Sequence, residues 1–175
     1  YTEENTLSLH DALPISLQPV LAEIAALSTH EQVIRLTSRP DVGISMPVNV
    51  YITLDEGNPD RYLTAITHGG LGLPEREYYR RTDGVFPEQR RQYAATIANI
   101  LTLAGQSDGE AKAARILAFE TQIAELHWPI ADRRERERTY NLRSRAQVRA
   151  LAPRFPWDAG FEAAGLGNVE EVVVS

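Results

Sequence analysis

Apolar positions along this chain change period several times, and each change marks an element. Leu17, Val20, Leu21, Ile24 and Leu27 recur at helical spacing, which predicts an amphipathic helix that Pro19 helps to start. Thr29 followed three residues later by Gln32 is a capping-box pattern, so a second helix is expected there. Its buried side would be Val33, Ile34 and Leu36, and Pro40 would end it. From Met46 to Leu54 the period shortens: Val48, Val50 and Ile52 alternate with Asn49, Tyr51 and Thr53, as in a strand. Gly57–Asp60 reads as a turn and Tyr62–Thr67 as the returning arm of a hairpin.

Two long helices follow. The first has Pro87 near its start, Gly105 at its stop, and Tyr93, Ile97, Ile100, Leu101 and Ala104 as its inner face. The second carries Ala113, Ile116, Leu117, Glu120, Ile123, Ala124 and His127 in one stripe and is bounded by Pro129. Ser144 with Gln147 is another capping-box pattern, opening a short helix that runs to Leu151. Asp158–Ala164 is a last helix stopped by Gly165, and Val172–Val174 begins a strand that nothing in the pattern pairs. The expected fold class is mainly α: a helical domain with one small β-hairpin, truncated at its C-terminus.

Between the hairpin and the long helices stands Gly69-Gly70-Leu71-Gly72-Leu73-Pro74-Glu75-Arg76-Glu77-Tyr78-Tyr79. Its glycines permit backbone angles closed to other residues, while Leu71, Leu73 and Pro74 supply burial and rigidity. The spacing fits neither a dinucleotide-binding loop nor a P-loop, and no Lys follows. A packed structural turn is the expectation.

Composition narrows the chemistry further. There is no Cys, which excludes disulfides and thiolate metal sites. No apolar run approaches the ~20 residues of a membrane span. Thr6-Leu7-Ser8-Leu9-His10-Asp11-Ala12-Leu13-Pro14-Ile15 matches one reading frame of a short-read sequencing adapter, ACT CTT TCC CTA CAC GAC GCT CTT CCG ATC. Residues 1–15 are therefore expected to be an adapter artefact, and residues 16–175 the native part. Without Glu3, Glu4 and Asp11 the formal charge moves from −6 to −3. A mildly acidic domain offers no electrostatic reason to bind nucleic acid.

Candidate catalytic groups are few. Zinc hydrolysis on a helix requires H-E-x-x-H, with two His one turn apart and a Glu to handle the water proton. The nearest stretch is His30-Glu31-Gln32-Val33-Ile34, in which Ile34 holds the second ligand position and cannot bind metal. His30, His68 and His127 are far apart in sequence. Glu120 and His127 share an apolar stripe, either as an acid/base pair or as a buried carboxylate paired with Arg133 or Arg134 beside a satisfied core His; the second is favoured. Arg133-Arg134-Glu135-Arg136-Glu137-Arg138 interleaves two Glu with four Arg, as a solvated face does. Tyr78, Tyr79, Trp128 and Trp157 read as packing anchors. No Gly-x-Ser-x-Gly elbow is present.

The glycine stretch resembles the GGLGLPxRxYY signature in the N-terminal half of the neprilysin family of zinc metallopeptidases. Asp55-Glu56-Gly57-Asn58-Pro59-Asp60-Arg61-Tyr62 is similar to that family's D-x-x-N-P-x-x-Y, and Arg90, Tyr93 and Leu103-Ala104-Gly105 fall where it has R-x-x-Y and L-x-G. Glu120-Thr121-Gln122-Ile123-Ala124 with Trp128 resembles E-T-x-I-A-x-x-x-W. Arg133-Arg134, then Thr139-Tyr140-Asn141, resemble R-R and T-Y-N, and Ala152 to Trp157 resembles A-P-x-F-x-W. His68 departs from the pattern, which has Gln or Ser there.

The resemblance implies part of the N-terminal, chamber-forming domain of an endopeptidase that hydrolyses oligopeptides. Zinc and the catalytic H-E-x-x-H would lie in a missing C-terminal catalytic domain of the same polypeptide. This chain would then carry no catalytic, metal or cofactor residue, and Gly69, Gly70, Leu71, Gly72, Leu73, Pro74, Arg76, Tyr78, Tyr79, Glu120, Trp128, Arg133, Arg134, Tyr140, Asn141 and Trp157 would be structural. A Cys-free member points to a bacterial, periplasmic or extracellular parent. The alternative is a stand-alone helical binding module without catalytic activity.

Overall fold

The computed structural model describes the backbone from residue 9 and side chains from residue 17 onward. The chain runs through helices α1 (Leu9–Ala25) and α2 (His30–Thr37), strands β1 (Val48–Asp55) and β2 (Asn58–His68), and the single turn α3 (Glu77–Arg80). The long helices α4 (Phe86–Leu103) and α5 (Gly109–Leu126) follow, then a 3-10 turn (Asp132–Arg134), α6 (Arg136–Thr139), β3 (Asn141–Ser144), α7 (Arg145–Leu151), α8 (Trp157–Ala163) and β4 (Glu171–Val174). The fold is mainly α with a small sheet. Contacts divide it into two compact units, one formed by the chain up to Leu27 with Leu73–Glu125 and the other by Ser28–Gly72 with Leu126–Ser175.

The first unit is helical. α4 carries Pro87 in its first turn, where the missing N–H has no helical partner to lose. At its other end Gly105 takes φ 75°, Gln106 N donates to Leu101 O at 2.9 Å and Gly105 N to Thr102 O at 3.0 Å. That is the Schellman closure that the glycine predicts. α5 begins at Gly109, where a Cβ would stand 2.8 Å from Ala98 O. Small buried residues (Ala98, Ala113 and Ala124) line this unit.

Two expectations change here. The inner face of α4 centres on Ala98, so Ile100, two residues on and more than half a turn away, is 58% exposed. α1 extends back to Leu9, which puts Pro19 inside the helix rather than at its start, at the loss of one backbone donor. Of the residues assigned to an adapter, 1–8 lie outside the described residues and 9–15 fall within α1.

The second unit holds the sheet, ordered β1-β2-β4-β3. β1 and β2 form the expected hairpin, antiparallel from Val48↔His68 to Asp55↔Asn58, with a tighter turn than expected because β2 already starts at Asn58. The terminal Val run is not unpaired. β4 lies parallel to β2 (Thr64↔Val172 to Ile66↔Val174) and antiparallel to β3 (Asn141↔Val174 to Ser144↔Glu171). β3 has no hydrophobic alternation to announce it. The core is Ile66, Val148, Phe161 and Val172, with Val48, Trp157, Leu166, Val169 and Val174 packed around it.

Local signals in this unit are realised as read. Thr29 and Gln32 close the capping box of α2, and Ser144 and Gln147 close that of α7. Gly165 (φ 74°) ends α8, with Leu166 N donating to Phe161 O at 2.7 Å.

Gly70 differs from the helix-ending glycines. It takes φ 79°, and a Cβ there would meet the Pro47 backbone at 2.9 Å, whereas a Cβ on Gly165 meets nothing within 4 Å. Gly165→Ala is expected to cost about 1 kcal/mol from backbone strain alone. Gly70→Ala is expected to cost roughly 2–3 kcal/mol, because the strain and the clash add. Urea denaturation of both variants checks this, and equal losses would refute the close approach.

Candidate functional site

Three clusters of buried polar groups gather nearly all of the motif residues. The first lies in the helical unit. Tyr79, buried to 5% exposure, donates its hydroxyl to Glu120 Oε2 at 2.5 Å and accepts from Leu73 N at 2.9 Å. Tyr93 donates to the other Glu120 oxygen at 2.8 Å. Burial, reinforced by the Glu120 carboxylate, pushes both phenols upward, so they remain protonated donors. The carboxylate expected to pair with Arg133 or Arg134 is thus held by two tyrosines. α5 presents it and α4 presents Tyr93, while the turn through Leu73 and Pro74 delivers Tyr79.

The same turn is braced by arginines. Arg76, with only 11% of its side chain exposed, lies 3.6 Å from the Glu77 carboxylate. Arg90 Nη1 donates to the Tyr78 carbonyl at 2.5 Å and to that of Arg81 at 2.8 Å, and the Tyr78 ring meets Phe86 edge-on at 5.2 Å. Leu71 and Leu73 are half-buried, while Gly72 and Pro74 are exposed.

The second cluster locks the hairpin turn. Asp55, 2% exposed, accepts from Tyr140 hydroxyl and Gly57 N on one oxygen and from Arg61 Nε at 2.6 Å on the other. The Tyr140 hydrogen bond leads the effects that lower its pKa to about 2, with Arg61 and Gly57 adding to it. Asn141 donates to Arg138 O at 2.6 Å and Val174 O at 3.1 Å, tying the β3–β4 edge to α6. Thus the Tyr-Asn pair of the sequence holds two separate strand ends.

The third cluster contains two of the four histidines, His68 and His127. Gly69 N donates to Pro47 O at 2.8 Å, and a Cβ on Gly69 would stand 2.6 Å from Met46 O. Its carbonyl receives His127 Nε2 at 3.0 Å. A carbonyl can only accept, so His127 carries its proton on Nε2. The His68 ring stands edge-on to His127 with centroids 4.2 Å apart, and its Nε2 lies 3.3 Å from Arg133 Nη1. A guanidinium can only donate, so His68 Nε2 presents a lone pair and the ring is neutral. Trp128 lies under the Arg138 guanidinium (5.9 Å), Arg134 is exposed, and Trp157 donates to Ala152 O at 3.1 Å.

The clusters therefore engage Glu120 and His127 with separate partners. Among the described residues no group of three or more His, Cys, Asp or Glu is placed to hold a metal ion. The role of His68 as acceptor for Arg133 carried no signal in the sequence, since the two are 65 positions apart.

Burial, then the neighbouring His127 and Arg133, lower the His68 pKa from 6.5 to about 4. The unfolded chain thus binds more protons across that interval, and stability is full above pH 6.5 and lost as pH falls towards 4. His68→Gln keeps an acceptor for Arg133 and removes the titration. It is expected to flatten the loss of urea midpoint between pH 7 and pH 4.5; an unchanged slope would count against the neutral ring. A further loss below pH 4, as Asp55 protonates towards its value of about 2, should persist in this variant.

Comparison with known proteins places these clusters in a family. A family model described as peptidase family M13 matches residues 5–175, reaching back into the stretch that resembles an adapter. Neprilysin-3 of Drosophila melanogaster is 30% identical over 112 residues, covering 63% of this chain and 14% of that protein. Human endothelin-converting enzyme 1 is 31% identical over 113 residues, covering 62% of this chain and 14% of that protein. Among solved structures, the Mycobacterium tuberculosis zinc metalloprotease Zmp1 with an inhibitor superposes with TM-score 0.80 at 30% identity, over 90% of this chain and 25% of that one. Its open state gives 0.79, over 94% and 27%. The chain spans about one-seventh of the curated relatives and about a quarter of the solved structures. With its glycine turn, tyrosine-held glutamate and matching N-terminal family model, this chain belongs to peptidase family M13, the neprilysin-like metallopeptidases.

Proposed function

We infer that this chain forms part of the wall of a reaction chamber in a zinc-dependent endopeptidase that cleaves oligopeptides. Zinc and the general base would be supplied by a catalytic domain elsewhere in the same polypeptide. One observation carries the reading. The chain overlays a quarter of a zinc metalloprotease at TM-score 0.80, while its own acid and imidazole candidates hold tyrosines, a backbone carbonyl and a guanidinium together. The glutamate accepts from two phenols and the histidine donates to a carbonyl, so both are engaged in internal hydrogen bonds. They hold shape. A bacterial parent, periplasmic or extracellular as the family resemblance implies, belongs to the same reading.

The adapter origin of residues 1–15 is part of the same reading; it rests on the run Thr6 to Ile15. Long-read sequencing of the source DNA separates it from the native origin to which the family match at residue 5 points. The expected result is a frame that lacks the adapter and continues into an H-E-x-x-H.

On the chain itself, zinc titration followed by calorimetry should show no stoichiometric site, and a quenched fluorescent oligopeptide should remain intact with zinc added. Chelator-sensitive cleavage by residues 1–175 alone would overturn the proposed division of labour. A stop codon directly after Ser175 would favour a binding module instead.

A further inference from the structure

The chain contains two Asp-Gly steps, Asp83-Gly84 and Asp108-Gly109, and both lie in the helical unit. An aspartate before glycine is chemically exposed to its own backbone. The glycine nitrogen attacks the side-chain carboxyl, and glycine has no side chain to bar that approach. The carboxyl reacts in its protonated form, whose hydroxyl leaves as water; an ionised carboxylate held by a cation reacts far more slowly.

Both aspartates are exposed, but their carboxyls are held differently. Arg81 grips Asp83 with two parallel hydrogen bonds, Nε to Oδ1 at 2.9 Å and Nη2 to Oδ2 at 2.6 Å. That grip leads the effects that lower the Asp83 pKa and keep it ionised. Among the described residues no hydrogen bond or ion pair engages the Asp108 carboxyl.

The backbone separates the two steps as well. Asp108 takes φ 57°, the one positive φ of a non-glycine residue among the described residues. A side-chain-bearing residue is strained there, and aspartate is one of the few that tolerate it. Gly109 opens α5, so its N–H belongs to the first turn and has no helical acceptor to hold it back. A bulkier residue at 109 would slow the attack but does not fit, because its Cβ would stand 2.8 Å from Ala98 O. Close packing of α5 on α4 therefore keeps the reactive step in place.

We propose that Asp108 is a site of spontaneous isomerisation to isoaspartate in the folded chain, whereas Asp83 is protected by Arg81. A bond forms between Asp108 Cγ and Gly109 N, the Cγ–OH bond breaks, and the hydroxyl leaves with the Gly109 amide proton as water. Water then adds to the α-carbonyl of the cyclic imide and opens it, so the main chain runs through Cγ and the former α-carbonyl becomes a free carboxylate. The net change is an isomer of equal mass. It lengthens the α4–α5 connection by one methylene and removes the carbonyl that accepts Lys112 N at 3.0 Å. The reaction needs only this chain and water, so it stands or falls separately from the peptidase reading.

The test ages the full chain in mildly acidic buffer, with a parallel sample in urea. Trypsin then separates Thr82–Arg90 from Gln92–Lys112, and an isoaspartyl methyltransferase with a labelled methyl donor reports the isomer in each. In the folded chain Gln92–Lys112 is expected to gain label about tenfold faster than Thr82–Arg90 or more, from the backbone strain and the missing clamp together. In urea, where strain and clamp are both lost, the two rates should converge. Arg81→Gln should raise the label on Asp83 without altering Asp108. Asp108→Glu should abolish the label on Gln92–Lys112, because the larger ring closes far more slowly. Equal rates in the folded chain, or no label on Gln92–Lys112, overturn the proposal. So does label confined to a heavier form of that peptide, which would place the reaction at Asn99 by loss of its amide.

Discussion

The parallel pairing of β4 with β2 is the constraint on which the sheet-bearing unit depends. It joins Thr64–Ile66 to Val172–Val174, more than a hundred residues apart, and a parallel pair always requires a crossover. Here the crossover contains α4, α5 and all that follows up to α8. The entropy of closing such a long connection grows only slowly with its length. The return is Val172, fully buried against Ile66, Val148 and Phe161. Among the described residues β4 is also the one strand that pairs with β3, so without it the hairpin would be a two-stranded ribbon lacking a core.

Around this frame the polar groups that look catalytic act as fasteners. Asp55 ties the β1–β2 turn to Tyr140, Glu120 joins Tyr79 to Tyr93 within the helical unit, and His127 holds the Gly69 carbonyl. A buried carboxylate needs compensation, which two phenols supply to Glu120 and a phenol, a backbone N–H and the Arg61 guanidinium supply to Asp55. In this chain the glycine signature is closely packed. Gly69 and Gly70 pass so close to Met46 and Pro47 that no side chain fits, and the following Leu-Pro step turns the chain so that Tyr79 meets its glutamate.

In this member of peptidase family M13, polar motif residues of both units are engaged in internal hydrogen bonds. Among the described residues no strand pairs with the outer edge of β1, and an apolar trough runs beside it. An internal fastener and an open edge are different uses of the same hydrogen-bonding capacity.

The sequence by itself determined what depends on neighbours a few residues apart. Both capping boxes, the glycine closures at Gly105 and Gly165, the β1–β2 hairpin and the mainly helical class all follow from interactions spanning at most one turn or one hairpin. The tertiary structure decided the rest. It placed β4 between β2 and β3, turned Ile100 outward by centring α4 on Ala98, gave Glu120 two tyrosine donors, and set His68 against Arg133. Each of these rests on a contact between residues far apart in the chain or on which helix face a neighbour covers. Hydrophobic period and capping chemistry carry no information about such partners.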